Sequence, residues 1–192
     1  EDRVHLPRLY MAWPTPPYLS PPDAALTALA QILATGKTSR LYRKLVYELQ
    51  VAQDVTALQD SSSLSSVFEV VVTAREGHPL EEIRSLVDAE IARLLSEPPT
   101  EREVGRVQNQ NEAQLFSGLE RIAGADGRGD QMNNYLVATG DPDYFQEDLA
   151  RFRALSPSDI QAVAQTFLGP GRVLLSVVPS GHTELALPGA HP

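Results

Sequence analysis

The sequence predicts an α+β fold, a mainly antiparallel sheet of about four strands with helices packed on one face. Three observations carry that prediction. Apolar residues recur with period two in a few short runs and with helical spacing in at least five longer ones. The two kinds of run do not alternate as strand, helix and strand, the order a parallel sheet requires. With 192 residues, 42% hydrophobic and 21% charged, the chain has the size and composition of a globular domain whose core needs no disulfides.

Val4 to Trp13 alternates apolar and polar positions until Pro14, Pro16 and Pro17, which predicts a strand followed by a rigid turn. Ser20-Pro21-Pro22-Asp23 predicts a helix start, with Ser20 as the cap, proline in the first helical position and an acid facing the positive helix end. Ala25, Leu26, Leu29, Ile32 and Leu33 share one face of that helix, and Gly36 stands where a terminating glycine belongs, so the helix covers roughly 21–34. A second helix is predicted from Thr38 or Ser39, with Leu41, Leu45, Val46 and Leu49 at helical spacing. Val51 to Leu58 and Ser65 to Ala74 read as strands joined by a hairpin connection at Ser61-Ser62-Ser63.

After Pro79, Leu80, Ile83, Leu86, Val87, Ile91, Leu94 and Leu95 trace an amphipathic helix. Thr100 and Glu103 have capping-box spacing and open another, to about residue 116, although its apolar stripe fades over Gln108-Asn109-Gln110-Asn111. Residues 117–138 are helix-like but interrupted by Gly124, Gly127 and Gly129. Ser156-Pro157-Ser158-Asp159 opens a helix through Phe167, and Arg172 to Val178 closes the sheet. These elements make a single domain over 1–180, with 181–192 a loose tail. The abrupt beginning EDRVHLPRLY has no signal-peptide pattern and looks like a position inside a longer chain.

Several functions are disfavoured by residue content. A net charge of −9 argues against nucleic-acid binding, and the one tight basic cluster, Arg40, Arg43 and Lys44, reads as a solvated helix face. No stretch approaches the ~20 apolar residues of a membrane span. Without cysteine there is no thiolate nucleophile, disulfide or cysteine zinc site. GKTS at 36–39 imitates a phosphate loop, but Gln31 stands where the first glycine is needed and a helix, not a strand, precedes it. His5, His78, His182 and His191 are far apart in sequence, and local spacing assembles no metal site from them. Asp126, Asp130, Asp141 and Asp143 lack calcium-loop register, and Asp141-Pro142 reads as a turn. Arg128-Gly129-Asp130 spells an adhesion tripeptide that needs an exposed loop tip to matter, and no serine lies in G-x-S-x-G. The sequence shows no catalytic constellation of its own.

The order of several loose motifs is more informative than any one of them. A strand carrying W-x-T-P is followed by S-P-P-D, then Ser39-Arg40-Leu41-Tyr42 with Leu45-Val46 and Ala52 leading into a hairpin. Phe68 to Ala74, Pro99-Thr100-Glu101, Gly140-Asp141-Pro142-Asp143-Tyr144-Phe145 and Val177-Val178-Pro179 complete the series. Over residues 3–179 this resembles the C-terminal domain of a half-chain of the pitrilysin and insulinase family of zinc metallopeptidases.

The resemblance implies a domain used in pairs, in which an N-terminal partner domain carries the inverted zinc motif H-x-x-E-H, its histidines binding zinc and its glutamate acting as general base. The sequence contains no H-x-x-E-H, so the zinc belongs to the parent protein outside this chain, and the chain alone is not expected to be a peptidase. Further expected partners are a homologous second half or subunit and a peptide substrate, and the family's locations include the bacterial periplasm or envelope. In relatives that clamp the substrate backbone, an arginine and a tyrosine seven residues apart follow the Ser-Arg-Leu-Tyr helix. The matching positions here are Val46 and Gln53, which supply neither cation nor phenol, and this favours the zinc-bearing half. Arg40 and Tyr42 are structural first and candidate substrate contacts second. Three functions stay open: one wall of an active zinc endopeptidase, a scaffold or substrate-binding partner from an inactive relative, and an independent binding module.

Overall fold

The computed structural model describes residues 2–121 and 127–189. Strands β1 (Arg8–Thr15), β2 (Ala52–Asp60), β3 (Ser66–Ala74) and β4 (Val173–Val177) form one sheet in the order β2-β3-β1-β4. Every neighbouring pair is antiparallel. Helices α1 (Asp23–Ala34), α2 (Leu80–Ser96), α3 (Glu101–Glu120), α4 (Arg128–Thr139), α5 (Phe145–Arg153) and α6 (Pro157–Phe167) complete the α+β architecture.

Period-two alternation sends Leu9, Met11 and Trp13 of β1 and Phe68, Val70 and Val72 of β3 to one face, where they share a buried core with α1, α2 and α6. Trp13 is fully buried, sits edge-on to Phe68 at 6.1 Å, donates its indole N–H to the Gly169 carbonyl at 2.9 Å and lies under the Arg172 guanidinium. β1 begins at Arg8 rather than Val4 and continues through Pro14. A proline is tolerated there because β4 pairs only with Arg8 to Ala12, which leaves Pro14 bound to β3 alone on an edge of the sheet.

Helix α1 starts at Asp23, later than predicted, and Ser20 does not cap it. The Asp23 carboxylate instead accepts from the Leu19 amide and the Ser61 hydroxyl, so the turn is tied by the acid. Gly36, at φ +81°, ends the segment, and Ser39 Oγ donates to its carbonyl at 2.6 Å, which makes GKTS a helix-to-helix turn. The helix predicted to follow is π-helical over Tyr42–Glu48. Its wider turn keeps Leu41 and Leu45 buried and Val46 packed against the core but carries Leu49 out to 47% exposure, so the predicted apolar face loses its last residue.

The capping box predicted at Thr100 is present, and the helix start predicted at Ser156 is also a capping box. Thr100 and Glu103 open α3, and Ser156 and Asp159 open α6 with Pro157 in the first helical position. Ser156→Ala should cost about 1 kcal/mol in urea denaturation, the usual loss for an N-cap. α3 runs four residues beyond the predicted end because its polar stripe has a partner: Asn111 is buried and exchanges two hydrogen bonds with Gln31 of α1, at 2.8 and 3.0 Å. Gly127 caps α4, whereas Gly124 lies outside the described residues. Arg128-Gly129-Asp130 forms the first turn of that helix and is no loop tip. The Asp143 amide donates to the Asp141 side chain, the turn that Asp141-Pro142 implied.

The tail predicted to be loose from residue 181 is held as far as it is described. Thr183–Leu185 forms a 3-10 turn, Leu187 is buried in the main core, and its amide donates to Ser176 Oγ at 3.1 Å.

Candidate functional site

Arg40 follows directly from the Ser39 turn and points inward. Its Nε and Nη2 donate to the two Glu103 oxygens at 2.7 and 3.0 Å, a bidentate pair, and only 8% of the residue is exposed. Glu103 also accepts from the Thr100 amide, so one carboxylate caps α3 and fastens it to the turn after α1. Behind this pair Glu90 of α2, 2% exposed, faces Arg40, Lys44 and Arg93 at 3.8–3.9 Å. The basic cluster is therefore split. Arg43 pairs with Glu48 at the surface, while Arg40 is interior and corrects the reading of a solvated face. Two sequence-distant acids, Glu90 and Glu103, decide this, and local pattern did not connect them. Tyr42 is partly buried against the core.

Burial alone would raise the Glu103 pKa, but the hydrogen bonds from Arg40 and Thr100 outweigh it and hold the group at about 2. With the folded pKa below its ordinary value, the pair contributes fully above about pH 4.5 and is lost as pH falls toward 2. Glu103→Gln should flatten the acid limb of the stability profile in that window, as read by denaturation at stepped pH.

Three of the four histidines, His5, His78 and His182, line one cavity of about 540 Å³ where the N-terminal segment, the β3–α2 turn and the C-terminal segment meet. Sequence spacing hid this gathering because the three come from distant segments. His78 Nδ1 lies 3.0 Å from Glu82 and His182 Nδ1 3.0 Å from Glu184. His191 lies outside the described residues. Among the described residues no group of three or more His, Asp or Glu side chains has the arrangement to hold a metal ion, and the chain has no H-x-x-E-H. A zinc site does not fit the side chains described here.

The face of the sheet opposite the helices carries apolar side chains on all four strands, interrupted by Glu69 and Thr56. Cross-strand register puts Leu175, Tyr10, Val71 and Thr56 in one row and Val173, Ala12, Glu69 and Leu58 in the next. Val173 is 66% exposed and Leu175 53%, and no helix of the described residues covers them. Strands exposed to water on one side normally alternate apolar and polar. β3 keeps Glu69 and Thr73 on this face, but Val71, Val173 and Leu175 are apolar there, a signal already present in the unbroken Val70-Val71-Val72 and Val173-Leu174-Leu175 runs.

An α+β domain, helical on one face of its sheet and bare on the other, is the class these features define. The family described as the peptidase M16 inactive domain matches residues 1–111, more than half of the sequence. The chain belongs to that family, whose domains include the C-terminal domains of pitrilysin-type zinc peptidases. Its fold matches a protease from Helicobacter pylori with a TM-score of 0.81 at 21% identity, over 92% of this chain and 42% of that one. It also matches the inactive peptidase domain of a proposed zinc protease from Bordetella parapertussis, with a TM-score of 0.77 at 21% identity over 93% and 97% of the two chains. A peptidase M16 inactive domain from Pseudomonas fluorescens gives 0.76 at 17% identity over 91% and 41%. These likenesses speak to fold. The chain spans less than half of the Helicobacter pylori protease. No curated protein sequence matches it.

Proposed function

We propose that this domain is the C-terminal, non-zinc-binding wall of a peptide-enclosing chamber in a zinc metalloendopeptidase. Its zinc would be held by an N-terminal domain of the same parent, outside this chain. The observation that carries the reading is the uncovered apolar sheet face around Tyr10, Val71, Val173 and Leu175, which calls for a polypeptide partner. The family match, and the 42% share of the Helicobacter pylori chain, support the rest of the parent as that partner. The outer edge of β4, which Asp2 reaches only beyond its end at Val178 to Ser180, adds a place where an extended peptide could pair as a further strand. For Arg40 and Tyr42 we propose the structural role, since Arg40 spends two donors on Glu103 and Tyr42 packs on the core. A role for Arg40 as a substrate contact would need release of Glu103 at the α3 N-terminus.

The test is cleavage of an unfolded peptide by the parent, with and without this domain. Deletion should abolish chelator-sensitive cleavage while zinc content stays, and adding the chain back should restore it. Undiminished cleavage by the deleted parent would sink the reading. A parent that holds no zinc and cleaves nothing, yet binds a peptidase subunit, would instead establish the scaffold role.

A further inference from the structure

On the helix side of the sheet, α1, α3, α4 and α5, with Tyr18 and Ser61, line an open cavity of about 360 Å³. Two carboxylates form part of its wall, Asp23 of α1 and Asp148 of α5, only 4% and 5% exposed. They share one guanidinium, Arg151, at 3.4 Å from Asp23 and 2.9 Å from Asp148. Neutral donors complete the network: Ser61 and Leu19 on Asp23, Tyr135 on Asp148. Two buried negative charges against one positive leave an excess, and a buried charge lacking a counter-ion is costly. Burial raises the Asp148 pKa, so a proton is one means of removing the excess.

The cavity offers another means. Asp130 and Asn134 of α4 stand at its rim, Gln114 and Leu115 line the α3 side, and no lysine or arginine is among its lining residues. Gln131 of α4 spends its amide N–H on Tyr135 while its Oε1 has no hydrogen-bond partner. We infer that this cavity binds an organic cation, an alkylguanidinium or alkylammonium of the kind that arginine and lysine side chains carry. A guanidinium brings five donors to a wall of acceptors, and its stem has Leu115 and Phe152 to lie against. The volume is near the lower end for small-molecule sites. The inference does not depend on the chamber reading.

The titratable groups facing the cavity and its network are Tyr18, Asp23, Asp130, Tyr135, Asp148 and Arg151, and α3 contributes none to the lining. A bound cation and a proton on Asp148 compete, so binding weakens as pH falls.

The full chain is titrated calorimetrically with agmatine, with a capped peptide bearing one central arginine, and with the same peptide bearing citrulline. Saturable one-to-one binding of an arginine-type ligand is expected, with citrulline at least about tenfold weaker. Asp148→Asn should weaken binding about tenfold. Asn134→Lys places a cation at the exposed rim without touching the buried network, and should abolish binding at unchanged Tm. Tighter agmatine binding assigns the site to free cations, and tighter peptide binding assigns it to a basic residue of a peptide. Absence of saturation up to ~10 mM, equal binding of citrulline, or indifference to Asn134→Lys would overturn the inference.

Discussion

Arg40→Ala lowers the stability of the domain by about 3 kcal/mol or more, because truncation leaves Glu103 and the buried Glu90 without their shared cation. Lys44 and Arg93 remain near Glu90, but both are 3.8–3.9 Å away and neither replaces the two-pronged contact on Glu103. The loss spreads because Glu103 also caps α3. Arg40→Lys keeps the charge and loses the fork, so it should fall between the variant and the parent sequence. Urea denaturation at neutral pH measures both. A loss below about 0.5 kcal/mol for Arg40→Ala would return the residue to the solvated face the sequence implied.

Trp13→Ala should cost about 4 kcal/mol, in the range for deleting a large aromatic ring from a core. The ring is fully buried between β3 and the α6–β4 connection, and its removal strands the Gly169 carbonyl and takes the ring from beneath the Arg172 guanidinium, which keeps its pair with Asp88. At this chain length the midpoint of thermal unfolding should drop by roughly 10 °C. Trp13→Phe retains most of the packing and loses the indole hydrogen bond, so its cost should be nearer 1–2 kcal/mol. Equal losses for the two would mean that the hydrogen bond, and not the ring, dominates.

Much of this fold was legible in the sequence wherever a local rule acts alone. The capping boxes at Thr100 and Ser156 and the alternation in β3 required only neighbours in the chain. The failures have separate causes. Ser20 lost its predicted role because Asp23 reaches across to Ser61, thirty-eight residues away, and a tertiary contact overrode the local cap. The π-helical segment after Ser39 has apolar spacing compatible with an α-helix, so periodicity could not separate the two. α5 passed unassigned, a nine-residue helix with only Asp148 and Leu149 buried and therefore little apolar pattern to read. Leu187 anchors a tail that composition alone marks as loose.

For the sites, residue types gave the exclusions and the third dimension gave the contacts. Arg40 could be singled out from its place after Ser39, but its partners lie 50 and 63 positions away. The bare sheet face was visible as short apolar runs in β3 and β4, yet only the strand order shows that these positions meet on one surface. The gathering of His5, His78 and His182 left no trace in local spacing.

The central claim is that this domain acts by presenting its uncovered sheet face to the remainder of a zinc peptidase. Its most direct test is Val173→Lys with Leu175→Lys, at two exposed positions on an edge strand where lysine is readily accommodated. The account predicts that the isolated chain keeps its Tm to within about 3 °C, while the parent carrying both lysines loses its chelator-sensitive cleavage of unfolded peptide. A parent that cleaves at the original rate with both lysines in place would contradict it.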